Sequence, residues 1–412
     1  MTSTVEMGVD RSNMSTEWTL APPSEPNVYP FNGSYGAPGV FEARRVAVFD
    51  GIARIGPQWF RDGFGADTPS GVDLFVDTVR AVHARGMKIL ATIGPTRNDF
   101  NASDVIPGDP KGNGCSWSTA PLSKIDLGRF ADRVRAHFDA LKNAGQSVDA
   151  FEIGNELDLY CNDADMPPTS EFAAHHWKWF LSDAQVQTFA NGYVPFLKTS
   201  VGLIRAYFPH AKIITFGMSN PSGNSAALIA ALAHYDDGSG KLIDETKLVD
   251  GYGTHIYPSS ATTDRMVRTA TADLVAQEAT FPHAAEKPLW ITEWNEAGSA
   301  FWSSHKWYFQ YDANGNPGGD RNLAAGAYPA MTRAEVIRAF QRDVLAKLRE
   351  RPNPLNIGYA FYYAYDAAAK SKMCDDTNFN RSRNLVGVCA SGLIDPTSGA
   401  LLSDVADAAM NR

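Results

Sequence analysis

Long apolar runs, basic clusters and closely paired cysteines are all missing from this chain, and each absence removes a class of function. No apolar stretch approaches the roughly 18 residues of a membrane-spanning helix, so no membrane span is expected. Lys and Arg number 37 against 46 Asp and Glu, a formal net charge of −9, and no block of one sign stands out. A nucleic-acid or anionic-membrane surface needs a basic patch, so neither partner is expected. Residues 1–10 lack the basic start and apolar core of a signal peptide, as a chain whose leader has been removed would. The four cysteines, Cys115, Cys161, Cys374 and Cys389, form no Cys-x-x-Cys pair, which argues against a zinc site or a redox motif. The histidines are scattered, and His175 and His176 are adjacent rather than at ligand spacing. With no zincin, EF-hand, nucleophile-elbow or phosphate-loop pattern, neither a metal nor a cofactor is expected.

What is present is a large supply of core. Hydrophobic residues make up 44% of the 412 positions and charged ones only 20%. Strand-like runs fall at 4–9, 51–56, 87–93, 149–155, 212–217, 248–256, 288–293 and 356–363, with helix-like stretches between them. Val72, Phe75, Val76, Val79 and Val82 follow helical spacing up to Gly86, and Leu127, Phe130, Val134, Phe138 and Leu141 do so up to Gly145. Further helices are expected at 186–208, 225–235, 264–281, 332–350 and 402–411. Eight strands each followed by a helix spell an α/β fold, a (β/α)8 TIM barrel. The alternation uses 1–412 as a single catalytic domain, with no internal repeat and no accessory domain. Long insertions at 10–45, 94–125, 157–185 and 294–331 follow strands and precede helices. They are therefore the long βα loops that build the active face of such a barrel.

All four cysteines lie in loop-like segments rich in Gly, Asn, Asp and Ser. An even number in loops favours two disulfides and an oxidising compartment, periplasmic or secreted. Of the three possible connectivities, Cys115–Cys161 with Cys374–Cys389 is expected. The first ties the loops after strands three and four, and the second closes a short loop after strand eight.

Two segments carry the chemistry. Phe-Glu-Ile-Gly-Asn-Glu at 151–156 and Trp-Ile-Thr-Glu-Trp-Asn at 290–295 are apolar runs that stop at a glutamate where a strand should end. In one barrel Glu156 and Glu293 would face each other across the mouth. Two carboxylates flanking a cleft are the minimal machinery for cleaving a glycosidic bond. Glu152 shares the parity of Glu156 but lies deeper, and reads as a structural carboxylate. Glu296 competes with Glu293 but already sits in the loop, where placement is less exact. Arg54 on strand two, Asn155 on strand four, and His255 and Tyr257 ending strand six are the candidate helpers. An arginine beside a carboxylate favours its charged form, and Asn, His and Tyr can hold a carboxylate or bind sugar hydroxyls.

Asn155-Glu156 on strand four, Glu293 on strand seven, Arg54 on strand two and His255-x-Tyr257 on strand six resemble the pattern of glycoside hydrolase clan A, the retaining (β/α)8-barrel glycosidases. In motif, the Asn-Glu segment is most similar to family 79 and the Thr-Glu-Trp-Asn segment to family 39. The chain has Leu157 where many relatives have Pro. It has Phe361, Tyr362 and Tyr363 where many have a strand-eight Trp, and it lacks the β-sandwich usual in both families. The resemblance implies a glycosidase that cleaves β-linked oligo- or polysaccharides with net retention. Glu293 is then the nucleophile and Glu156 the acid/base. The acid must hold its proton while the nucleophile is charged, so their surroundings must differ. Trp302 and Trp307, soon after the nucleophile strand, are the leading candidates to stack on sugar rings. A transglycosylase with the same residues and a non-catalytic carbohydrate-binding barrel are the alternatives. The sequence carries no indication of oligomeric state.

Overall fold

β-branched and aromatic residues, punctuated by glycine and proline, form eight parallel strands. The computed structural model describes residues 5–10, 38–64, 69–109, 112, 115, 117–168, 171, 181–219, 223–256, 263–295, 310–311, 317–318, 333–346, 348, 355–365, 392–393 and 401–412. The strands are β1 (Glu6–Asp10), β2 (Trp59–Gly63), β3 (Lys88–Ile93), β4 (Ala150–Asn155), β5 (Lys212–Gly217), β6 (Tyr252–Ile256), β7 (Leu289–Trp294) and β8 (Ile357–Tyr363). They form one sheet in the order β5-β4-β3-β2-β1-β8-β7-β6. Parallel bridges Ile214↔Gly251 and Met218↔Thr254 join β5 to β6 and bring the sheet round into a nearly closed barrel.

A helix follows each strand: α1 (Pro38–Ile55), α2 (Pro69–His83), α3 (Leu127–Asn143), α4 (Asp183–Tyr207), α5 (Gly223–Ala230), α6 (Thr263–Thr280), α7 (Arg333–Phe340) and α8 (Ser403–Ala409). This is the (β/α)8 barrel that the alternation of patterns led us to expect. The apolar stripe of α3, Phe130, Val134, Phe138 and Leu141, is buried, and Asp126 caps its N-terminus by accepting from Gly128 N and Arg129 N. Ser182 and Gln185 form a capping box at the start of α4. These caps satisfy amide donors that the first helical turn leaves over. Among the described residues no helix is long and apolar enough to cross a membrane.

The second strand differs from expectation. Residues 51–55 belong to α1, not to a strand. Phe49, Ile52 and Ile55 are buried at helical spacing, and Gly56, at φ 69, ends the helix in the left-handed region. Glycine takes that conformation without a Cβ penalty. A short apolar run does not distinguish strand from buried helix, which is why the segment misleads. The real second strand is Trp-Phe-Arg-Asp-Gly, whose two central charges disguise it.

Inside the barrel, Trp59, Leu90, Ala150, Ile214, Trp290, Tyr359 and Phe361 form a separate apolar plug. Trp290 stacks on Tyr359 with ring centroids 3.5 Å apart, and Trp59 meets Trp290 edge-on at 5.4 Å. The plug fills the barrel interior beneath the C-terminal mouth. There Cys115 and Cys161 form a disulfide with Cα atoms 5.3 Å apart, tying the loops after β3 and β4 as expected. Cys374 and Cys389 lie outside the described residues.

Candidate active site

Strand side chains alternate in and out, so the inward residue after each plug residue lies one layer nearer the mouth. On four strands that residue is polar: Arg61 follows Trp59, Thr92 follows Leu90, Glu152 follows Ala150 and Tyr363 follows Phe361. Arg61 is the hub of the layer. Its Nε donates to Glu152 Oε2 at 2.8 Å, Nη1 to Glu293 Oε1 at 2.7 Å and Nη2 to Asn155 Oδ1 at 2.6 Å. Nη1 also pairs with Asp10 at the end of β1. Burial alone would lower the Arg61 pKa, but Glu152, Asp10 and Glu293 together outweigh it and raise the value well above normal. The guanidinium is therefore a permanent charge at the base of the mouth. Thr92 Oγ1 donates to Glu152 Oε2 at 2.7 Å, so this deep carboxylate is held from two strands.

Glu156 follows the last residue of β4 and has φ 48, a left-handed conformation rare outside glycine. Holding a non-glycine residue there costs on the order of 1–3 kcal/mol and requires surrounding structure to enforce it. The enforcement is visible. Glu156 N donates to Gly217 O at 2.8 Å, and Glu156 O accepts from Leu159 N at 3.0 Å and from Asn162 Nδ2 at 3.2 Å. The twist turns the side chain toward His255, whose Nδ1 lies 2.9 Å from Glu156 Oε1 and 3.5 Å from Glu293 Oε2.

The two carboxylates have different surroundings. The Glu293 side chain is 10% exposed and bound to Arg61, whereas that of Glu156 is 24% exposed and faces the imidazole. Burial would lower the His255 pKa, but Glu293 and the hydrogen bond to Glu156 outweigh it, and the value is raised despite the opposing Arg61 charge. Tyr363, at the end of β8, has its hydroxyl pKa pushed well above normal by burial and then by Glu293, Asp10 and Glu156. It is a neutral donor at working pH. Asn295 Nδ2 donates to Tyr363 O at 2.6 Å, joining the ends of β7 and β8. Donor atoms of Glu156, His255 and Glu293 all lie within 4.8 Å of one another. That spacing suits a small cation geometrically, but Arg61 already supplies Glu293 with a fixed positive charge.

The structure thus gathers Glu156, Glu293, Asn155 and His255 at one mouth. It does not bring Arg54 there. Arg54 is exposed in the last turn of α1, and Arg61 occupies the position expected of it because the second strand lies later in the chain. Tyr257, Trp302 and Trp307 lie outside the described residues. Sequence reading missed Arg61, Asp10 and Tyr363. Asp10 had a usable signal, since it ends a short apolar run just as the two glutamates do.

Beside the mouth, a cavity of about 210 Å³ is lined by Thr96, Arg97, Trp117, Asn155, Leu157 and Asn162, among others. Trp117 is 58% exposed, and its Nε1 donates to Cys161 O at 2.9 Å, which fixes the ring on the rim. A larger cavity of about 670 Å³ lies between α2 and α3, lined by Val72, Asp73, Arg133 and His137 among others, and touches none of the mouth carboxylates.

No family model and no curated protein sequence matches the chain. Solved structures do. An exo-β-1,4-mannosidase from Opitutaceae bacterium strain TAV5 matches at TM-score 0.51 and 14% identity, over 99% of this chain and 58% of that one. The GH5_18 protein of Streptomyces cattleya, in complex with GlcNAc, matches at TM-score 0.52 and 13% identity, over 100% and 80%. A β-galactosidase from the psychrophilic Marinomonas ef1 matches at TM-score 0.53 and 11% identity, over 99% and 58%. The chain shares their barrel fold. It spans 58% of the length of the mannosidase and of the galactosidase.

Proposed function

We propose that this protein is a retaining clan A glycoside hydrolase acting on β-linked oligo- or polysaccharides. The observation that carries the reading is the pair Glu156 and Glu293. They stand at the ends of β4 and β7 with carboxylate oxygens within 4.8 Å, one against an imidazole and the other against a guanidinium. Retaining enzymes hold their two carboxyl groups roughly 5–5.5 Å apart, too close for an intervening water. Glu293, aligned by Arg61, attacks the anomeric carbon, while Glu156 passes its proton to the departing oxygen. Water then enters, Glu156 takes its proton, and the resulting hydroxide displaces Glu293 from the sugar. Asn155 and Tyr363 are placed to bind hydroxyls of the reacting ring, and Trp117 offers an aromatic face on the rim. Tyr257, Trp302 and Trp307 complete the proposed substrate contacts.

The disulfide supports action outside the cytosol, in a periplasm or after secretion. The barrel neighbours are named for mannoside and galactoside cleavage and for a GlcNAc complex, which supports a β-linked sugar without selecting one. A screen against polysaccharides and aryl β-glycosides, with the first-formed anomer read by NMR, tests the proposal. Retention is expected. An inverted product would overturn the double displacement, and no turnover across the panel would overturn the enzymatic reading.

A further inference from the structure

His255 is buried between two groups of atoms. Its Nδ1 faces Glu156 and Glu293. Its Nε2 points the other way, at Gly217 on β5. A Cβ on Gly217 would lie 2.3 Å from His255 Nε2, 2.6 Å from Glu152 Oε1 and 2.7 Å from Thr292 Oγ1. Three polar atoms from β4, β6 and β7 therefore converge on one backbone carbon, and only glycine leaves room for them. Glu152 and Thr292 are fully buried. Arg61 and Thr92 both bind the other carboxylate oxygen of Glu152, while Glu152 Oε1 and Thr292 Oγ1 have no hydrogen-bond partner among the described residues. A buried carboxylate oxygen left without a donor is costly. The donors that face the same point over Gly217 are the imidazole N–H and the threonine hydroxyl, which can accept from one neighbour and donate to the next, although no hydrogen bond joins the three atoms in this geometry.

We infer that Gly217, Thr292 and Glu152 form a cradle that keeps a proton on His255 Nε2, so that Nδ1 shares a single proton with Glu156. This rests on Glu156 being the acid/base. When the imidazole is neutral, Nδ1 accepts from the protonated Glu156 carboxyl. When Glu156 gives its proton to the leaving oxygen it becomes a carboxylate opposite an Nδ1 that carries no proton, which keeps it basic until it takes a proton from water, and the imidazole keeps its Nε2 proton throughout. An aspartate behind a catalytic histidine fixes a tautomer in the same way in hydrolytic triads. Thr292 and Glu152 are positioning residues that act through His255. The charged groups facing that ring are Glu152 and Glu156 from the β4 side, Glu293 from β7 and Arg61 from β2. The pairing of His255 with Glu293 across β6 and β7 sets the ring directly beside the nucleophile.

Histidine-selective ¹⁵N labelling of the full chain, with the His255 signal assigned by its loss in His255→Asn, reads the tautomer without any substrate. The Nε2–H form is expected for the neutral ring, and the Nδ1–H form would overturn the inference. Thr292→Val keeps the shape and removes the hydroxyl. For an aryl β-glycoside accepted by the wild type, it should lower kcat/KM roughly tenfold when the leaving group is poor, a fraction of what general acid catalysis contributes. The loss should shrink with a dinitrophenolate leaving group, and the acidic and basic limbs of the pH profile should move. Thr292→Ser should restore all three. A folded Thr292→Val with unchanged tautomer and unchanged leaving-group dependence would sink the cradle. If no glycoside is turned over at all, the acid/base reading of Glu156 fails, while the NMR result still decides the tautomer.

Discussion

Replacing Arg61 with Ala would leave Asp10, Glu152 and Glu293 buried without their shared cation. Breaking a buried ion pair on one side costs about 3–5 kcal/mol, so Arg61→Ala should lose that much in urea unfolding and lose turnover entirely. Arg54→Ala, on the exposed face of α1, should stay within about 0.5 kcal/mol of the parent and keep its kinetics. The reverse pattern would put the second strand back at 51–56. The two glutamates should also separate cleanly. Glu293→Ala should abolish turnover, and azide should rescue it to a glycosyl azide of inverted configuration. Glu156→Ala should retain activity on substrates with good leaving groups, which need no proton. Azide rescue with the opposite assignment, read by NMR of the azide product, would exchange the two roles. The backbone of Glu156 was not legible in the chain. Nothing in Asn-Glu-Leu-Asp announces a φ of 48, because the strain is imposed by Gly217 and Asn162 from elsewhere.

At the scale of elements, the loops after β3 and β4 behave as one unit. Cys115–Cys161 spans a sequence separation of 46 residues, for which the chain-entropy model gives about 4 kcal/mol at most. Cys161 lines the rim cavity, and Trp117 is bound to its carbonyl. Cys115→Ala/Cys161→Ala should therefore lower stability by up to that amount in denaturant titration. It should also weaken oligosaccharide binding more than aryl-monoside hydrolysis. Equal effects on both substrates would detach the rim from substrate binding. Seven of the eight strands were legible because runs such as Lys-Ile-Leu-Ala-Thr-Ile are apolar on both faces, as parallel barrel strands are. The exception, β2, carries Arg61 and Asp62 in the middle of five residues. A buried charge placed inside a strand erases the pattern by which a strand is read.

For the whole molecule, stability should depend on pH through Asp163, in the loop after β4. Burial, followed by the charge of Asp165, raises its pKa from 3.8 to about 8. Asp163 Oδ1 accepts from Leu122 N and Asp165 N, both at 2.9 Å. Between about pH 4 and 8 the folded chain holds a proton that the unfolded chain releases. The contribution is thus complete below the unfolded value and is lost as pH rises through about 8. Calorimetry across that range should show a falling Tm, and His255, also raised, adds in the same direction. Asp163→Asn keeps the acceptor oxygen and should flatten the curve. A parent and variant with parallel slopes would remove Asp163 as the cause.

The sequence by itself determined the barrel and two of its strand-end glutamates. Alternation of short apolar runs with amphipathic stretches is a local property, and a barrel brings every strand end to one face whatever the side chains. It also indicated the first disulfide, because loops after neighbouring strands meet on the rim. Only the tertiary structure decided which arginine serves the site. It also decided that Asp10 and Tyr363 close around Glu293, and that Gly217 makes room for His255 against Glu152 and Thr292. Those contacts join β1, β2, β4, β5, β6, β7 and β8 across the barrel mouth. They depend on strand register and side-chain direction, which are properties of the closed sheet and are not carried by any one segment of chain.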